Sequence, residues 1–359
     1  MRYVIEGLEH DLRLKPRLNL RRVYLELTTR CNYRCPFCFR HAMTEPEGDM
    51  DKATFERFLW ALEEMPEVEE VVLGGMGEPL LHPEALRIMS ILTGKGYRVQ
   101  VSTNGSLIDD DVLLRLVDWG VSKVSFSIDL AEMGHPQAER VLGIMEKVSH
   151  EVMRKQADRP VVAAEIVLST QNVSKLPQLA DKMMASGVTE VVLSNLLPVV
   201  PQLVPFVLYD GKFVAYRDAF DDFLRRATAR MAVNVPNFEL LTERHCAFVE
   251  AKATVVSWRG TVHPCYRFLH DGVEYVLGRR KEVISWGFGS LQRQGLGEIW
   301  LSKDYAYFRY KVRNALFPSC SDCKLREVCQ FVGTTERDCW GNSPSCADCL
   351  WWRGIIACP

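Results

Sequence analysis

The chain has 359 residues, 47% of them hydrophobic, enough to bury one large core and a smaller appendage. Forty-four Lys and Arg stand against 46 Asp and Glu, a net charge of -2, so no basic footprint points to DNA or RNA. The most apolar stretch, 196–209, is short for a membrane span and is broken by Pro198, Pro201 and Pro205, so it reads as a loop. Residues 1–20 have no apolar signal-peptide region, which makes the cytoplasm the expected compartment. Twelve cysteines without an export signal and with an ordinary core read as metal-binding thiols in preference to disulfides.

Residues 23–27 form the first expected strand, and Phe55, Phe58, Leu59 and Leu62 then recur at helical spacing behind Asp51, a candidate N-cap. Further strands are expected at 70–73, 98–101, 121–128, 161–168 and 189–193, each beside an amphipathic segment. Apolar strands alternating with helices imply a parallel sheet with helices outside: α/β, a partial (β/α)6 TIM-like barrel, a flat doubly wound sheet being the alternative. After Ser194 the alternation stops, and a helix is expected over 213–232. The chain divides on this reading into an N-terminal extension (1–20), a barrel (21–236) and a Cys-rich lobe (237–359). In the last, 254–258 and 261–264 flank a hairpin turn at Arg259-Gly260. Few long periodic segments follow, so the order of this lobe is expected to depend on bound metal.

Cys31, Cys35 and Cys38 leave the first strand at the end where parallel barrels keep their active sites. Three thiolates hold three irons of a cubane and leave the fourth open to a ligand. Gly74-Gly75-Met76-Gly77-Glu78-Pro79 ends the second strand, where glycines admit close backbone approach and Glu78 offers an acceptor to an ammonium group. Ser102 and Asn104 end the third strand, Ser127 and Asp129 the fourth; helix capping and turn formation are the ordinary alternatives for each.

With Phe37 directly before the third cysteine, the CxxxCxxC loop resembles that of the radical S-adenosylmethionine superfamily, a likeness covering about the first two-thirds of the chain. It implies a [4Fe-4S] cluster on Cys31, Cys35 and Cys38 that splits S-adenosylmethionine into methionine and a 5′-deoxyadenosyl radical. The glycine segment resembles the family's Gly-Gly-Glu motif for the methionine amino group, with Met76-Gly77 inserted. Ser102, Asn104 and Ser127 resemble its ribose and carboxylate contacts, and Asp129 is a candidate substrate contact. A structural zinc loop is the alternative.

Beyond residue 237 stand Cys246, Cys265, Cys320, Cys323, Cys329, Cys339, Cys346, Cys349 and Cys358. Cys246, Gly260, Cys265 and the CxxCx5C run from Cys320 to Cys329 resemble the SPASM extension, which implies two auxiliary [4Fe-4S] clusters. Cys339 departs from the pattern, following Cys329 after nine residues where the family has three. Nine thiolates exceed the eight that two clusters need, so one is spare. By spacing and the SPASM likeness, Cys320, Cys323 and Cys329 share one cluster, completed by Cys346, Cys349 or Cys358, and Cys246, Cys265 and Cys339 the other, completed by a second tail cysteine or left with an open iron toward the barrel mouth. Zinc in the pairs Cys320/Cys323 and Cys346/Cys349 is the alternative.

The tail from Asn342 through Cys346, Cys349, Trp351 and Trp352 to Cys358, together with Ser194-Asn195-Leu196-Leu197-Pro198, resembles radical SPASM maturases that accompany tungsten-dependent aldehyde oxidoreductases. That likeness implies a tungsten-pterin cofactor or the oxidoreductase itself as substrate, and a ferredoxin or flavodoxin-type reductant as partner. Two other readings stand beside it: a maturase that crosslinks a ribosomal precursor peptide, and a non-catalytic iron-sulfur carrier. An exposed open iron argues against the carrier.

Overall fold

The computed structural model describes residues 2–7, 10–128 and 136–357. Two short strands, β1 (Tyr3–Ile5) and β2 (Leu12–Leu14), pair antiparallel, and Tyr3 ties them down by donating its hydroxyl to the Leu301 carbonyl at 2.9 Å. The central sheet starts at β3 (Arg22–Glu26). It adds β4 (Glu70–Gly74), β5 (Arg98–Thr103), β6 (Lys123–Ile128), β7 (Val161–Leu168) and β8 (Glu190–Asn195), each parallel to the one before. These are the six strands expected from the apolar runs, with bounds within two residues of the sequence reading.

Helices α1 (Lys52–Glu63), α2 (Ala85–Gly94), α3 (Asp110–Asp118), α4 (Pro136–Arg154) and α5 (Leu176–Ala185) alternate with these strands. Asp51 caps α1 as expected, accepting from the Thr54 N–H at 2.7 Å, and so turns Phe55, Phe58 and Leu62 into the core. The expected helix over 213–232 is shorter. A 3-10 turn leads into α6 (Arg217–Ala227), and the chain then extends into β9 (Ala232–Asn234) because the Ala232 N–H pairs with the Thr189 carbonyl. Sheet pairing overrides the helical spacing there.

After α7 (Ala247–Glu250) the expected hairpin forms from β10 (Ala253–Val256) and β11 (Thr261–His263), with Gly260 at φ +79 in its turn. It is not confined to a separate lobe. β10 lies parallel to β3, so the sheet runs on across the expected boundary, in the order β14-β11-β10-β3-β4-β5-β6-β7-β8-β9, where β14 is Gly289–Ser290. The two ends do not pair, which leaves the barrel open. A two-stranded ribbon, β12 (Gly272–Val276) and β13 (Arg279–Val283), stands apart from this sheet.

The C-terminal part is not ordered by metal alone. α8 (Leu296–Leu301) and α9 (Lys303–Arg313) bury Ile299, Trp300, Tyr305 and Phe308 in the same core as the barrel helices. The apolar loop 196–209 folds over the barrel, with Leu196, Val199 and Leu203 packed on Phe37. Among the described residues no helix is long and apolar enough to cross a membrane.

Candidate active site

The cysteine loop is pinned at both ends. The Thr28 hydroxyl donates to Asp49 at 2.6 Å, and Arg30 grips the same carboxylate through Nε at 2.9 Å and Nη2 at 2.7 Å. Burial works to raise the Asp49 carboxyl, but the bonds from Arg30 and Thr28 hold it below the usual range. His41 Nε2 lies 2.9 Å from the Cys35 carbonyl, closing the turn that carries Cys35 and Cys38. Gly77 is needed where it stands, since a Cβ would lie 2.3 Å from the Thr28 carbonyl oxygen and 2.5 Å from that of Arg30. The inserted Met76-Gly77 thus lets the second strand's loop pack flat against the cysteine loop.

Cys35, Phe37 and Cys38 line a cavity of about 350 Å³ at the barrel mouth, together with Gly75, Met76, Ser102, Asn104 and Ser127. These come from the C-terminal ends of β3 to β6 and the loops that follow them, where barrel enzymes build their sites. The remaining wall comes from Glu165, Val192, Leu197 and Val199 on the barrel side and from Tyr266, Arg267, His270, Glu274 and Trp351 of the C-terminal part. Asn104 ties the loop after β5 to the cysteine loop, donating from Nδ2 to Asn32 at 3.0 Å and toward the Cys31 sulfur at 3.7 Å.

Gly74, Gly77 and Glu78 do not line the cavity. Glu78 is 2% exposed and accepts from the Asn104 N–H at 2.7 Å, the Thr103 hydroxyl at 2.8 Å and the Leu80 N–H at 3.1 Å. Burial pushes its carboxyl up, against these three bonds. In this arrangement the Glu78 carboxylate holds the backbone of Asn104. Asp129, the candidate substrate contact, lies outside the described residues.

Sequence reasoning missed three groups around the cavity. Glu165, opposite Ser127 in the β6–β7 register, accepts from the Ser102 hydroxyl at 2.9 Å, and its other oxygen is buried with no partner among the described residues. Burial pushes this carboxyl up as well, against bonds from Ser102 and Ser125. An acidic residue inside the apolar run 161–168 was the available signal. His270 Nε2 lies 2.9 Å from both oxygens of Glu26, at the end of β3, a pair 244 residues apart with no linear signature. Arg267 and Glu274 form a buried ion pair, also without one.

The nine C-terminal thiols are not gathered as spacing suggested. Cys246, Cys265, Cys346 and Cys349 line one cavity of about 250 Å³. Cys339, expected with the hairpin pair, instead lies within electrostatic reach of Cys320, which leads the tight turns carrying Cys323 and Cys329. Cys358 lies outside the described residues. Burial pushes the Cys246 and Cys320 thiols up to about 12 and raises those of Cys265, Cys346 and Cys349. Arg267 opposes that rise at Cys349. Soft sulfur donors in groups of this size fit iron-sulfur clusters, and Cys246, Cys265, Cys346 and Cys349 are enclosed together in one cavity. The Cys31, Cys35 and Cys38 loop fits a cluster with one open iron on the same chemistry, three thiols and no carboxylate.

Comparison with known proteins agrees. Residues 25–154 match the radical SAM superfamily model, and residues 246–324 match SPASM, an iron-sulfur cluster-binding domain. The chain is 40% identical over 348 residues to the tungsten-containing aldehyde ferredoxin oxidoreductase cofactor-modifying protein of Pyrococcus furiosus, covering 94% of this chain and 96% of that one. Streptococcus suis SuiB bound to S-adenosylmethionine shares the fold at 14% identity and a TM-score of 0.59, over 87% of this chain and 73% of that one. SuiB bound to its precursor peptide SuiA aligns at 13% identity and a TM-score of 0.60, over 92% and 76%. The chain therefore belongs to the radical SAM superfamily with a C-terminal SPASM domain, in the family of the Pyrococcus cofactor-modifying protein, and its cofactors are S-adenosylmethionine and iron-sulfur clusters.

Proposed function

We propose that this enzyme cleaves S-adenosylmethionine reductively at the barrel mouth and uses it to modify the cofactor of a tungsten-containing aldehyde oxidoreductase, in the cytoplasm, with a ferredoxin or flavodoxin-type protein as reductant. The observation that carries the reading is the single cavity walled on one side by Cys35, Cys38, Gly75, Ser102, Asn104 and Ser127 and on the other by the C-terminal residues Tyr266 to Glu274. Cys31, Cys35 and Cys38 would hold the open cluster. When bound, that cluster supplies the electron that splits the sulfonium and so provides the hydrogen-abstracting group.

The chain's own residues do the rest. Asn104, fixed by Glu78, faces the cluster loop, while Ser102 and Ser127 offer hydroxyls to the cofactor's polar groups. Phe37, Leu197, Val199 and Trp351 keep bulk water from the mouth. Cys246, Cys265, Cys346 and Cys349 would hold one auxiliary cluster, and Cys320, Cys323, Cys329 and Cys339 the other, with Cys358 the spare thiol.

The test is anaerobic incubation of reconstituted enzyme with reductant, S-adenosylmethionine and, separately, the tungsten oxidoreductase, its released pterin cofactor or a Cys-rich precursor peptide. Mass spectrometry reads 5′-deoxyadenosine and product. A mass change in the oxidoreductase or its cofactor supports the proposal; a change confined to the peptide overturns it in favour of peptide maturation.

A further inference from the structure

Arg267 stands between the two cavities and lines both, the barrel-mouth cavity and the one enclosed by Cys246, Cys265, Cys346 and Cys349. Its side chain is 2% exposed. Nε donates to Glu274 at 3.1 Å, and Nη2 donates to Glu274 and, at 2.9 Å, to Asp348. Asp348 also receives Lys281 Nζ at 2.7 Å. Two cations and two carboxylates make the network neutral. Asp348 sits between Cys346 and Cys349 in the chain, and Arg267 is two residues past Cys265, so the network grips three of the four thiol-bearing backbones.

One donor is left over. Arg267 Nη1 is shut off from solvent and has no acceptor among the described residues. A buried charged donor without a partner costs more than the about 1–3 kcal/mol of a neutral one, and both nearby carboxylates are already engaged. The acceptor that the four-thiol cavity would contain is sulfur. We infer that Arg267 donates through Nη1 to the cluster held by Cys246, Cys265, Cys346 and Cys349 and sets its reduction potential, as a charged residue that also lines the barrel-mouth cavity. The inference rests on the assignment of those four cysteines to one cluster. Reduction adds negative charge, so a fixed cation with a hydrogen bond to sulfur favours the reduced form and raises the potential.

The test uses full-length chain carrying Cys31→Ala, Cys35→Ala and Cys38→Ala, so that only auxiliary clusters remain. Into it are placed Arg267→Lys and, to avoid stranding a buried carboxylate, the paired Arg267→Met/Glu274→Gln, which keeps the network neutral. Iron is counted and midpoints are read by EPR-monitored redox titration. With about eight irons retained, the paired variant should show one midpoint moved negative while the other stays. The reduced-to-oxidised ratio of the moved cluster should fall about tenfold at fixed potential, the effect of losing one charged hydrogen bond. Arg267→Lys should move it less, in the same direction. Unchanged midpoints with full iron overturn the inference, including the case where only substrate binding weakens. Loss of the cluster in both variants also overturns it, making Arg267 a folding support. A parent protein with only about four irons would instead sink the cysteine assignment, and the inference with it.

Discussion

His270→Gln removes the histidine that joins the C-terminal part to the end of β3. Glu26 is fully buried and the His270 side chain 4% exposed, so the pair is shielded from solvent screening. With the imidazole gone, the Glu26 carboxylate keeps, among the described residues, the Met76 N–H at 3.1 Å and the Trp258 N–H at 3.4 Å. Stranding one member of a buried pair costs about 3–5 kcal/mol, which at about 2 °C per kcal/mol is a fall of about 6–10 °C in the unfolding midpoint. Burial works to lower the His270 pKa, but the bond to Glu26 and the charges of Glu26 and Glu45 raise it above the ordinary 6.5. A raised imidazole contributes stability in full below its unfolded value and loses it as pH rises through the folded value. The midpoint gap between the parent and His270→Gln should therefore be widest near about pH 6 and shrink by about pH 9. Adding Glu26→Gln should recover part of the loss, because no unpaired buried charge remains. The assay is anaerobic differential scanning at one scan rate across that range. A fall of under about 1 °C, or an equal fall at both ends of the range, would refute the reasoning.

Cys349→Ala and Cys339→Ala should each cost about four irons per chain but from different clusters, so that Mössbauer or EPR signatures lost in one variant persist in the other; loss of the same signature in both would break the proposed partition. Glu78→Ala should leave three donors without their acceptor, lower the unfolding midpoint through a cost of about 2–4 kcal/mol, and weaken S-adenosylmethionine binding through misplaced Asn104. Weakened binding with an unchanged midpoint would return Glu78 to direct ligand contact.

Much of this fold is legible in the chain because the signals are local. β4 and β7 are near-continuous apolar runs, β5 and β6 alternate apolar with polar residues, Asp51 caps its own helix, and Gly260 marks its own turn. The cysteine loop is likewise read from spacing within eight consecutive residues, 31–38. What escaped depends on residues far apart in sequence. The continuation of β3 into β10 joins segments more than 200 residues apart, and no periodicity records it. Spacing places Cys339 with the hairpin pair, whereas the fold brings Cys346 and Cys349 to the hairpin cavity and Cys339 within electrostatic range of Cys320. Glu78 matched a motif, yet its direction is set by Thr103 and Asn104, which only the β4–β5 pairing brings within reach. α8 and α9 are also legible once the fold is known, since Ile299, Trp300, Tyr305, Phe308 and Val312 recur along them, but the two helices are short and lie between cysteine-bearing segments that carry no such period.

The most direct measurement is 5′-deoxyadenosine formed under anaerobic, reducing conditions by the parent enzyme and by the variant carrying Cys31→Ala, Cys35→Ala and Cys38→Ala. The account predicts formation by the parent and none above background by the variant, which should still hold the about eight irons of its two auxiliary clusters. Deoxyadenosine produced by the variant at the parent's rate would contradict it.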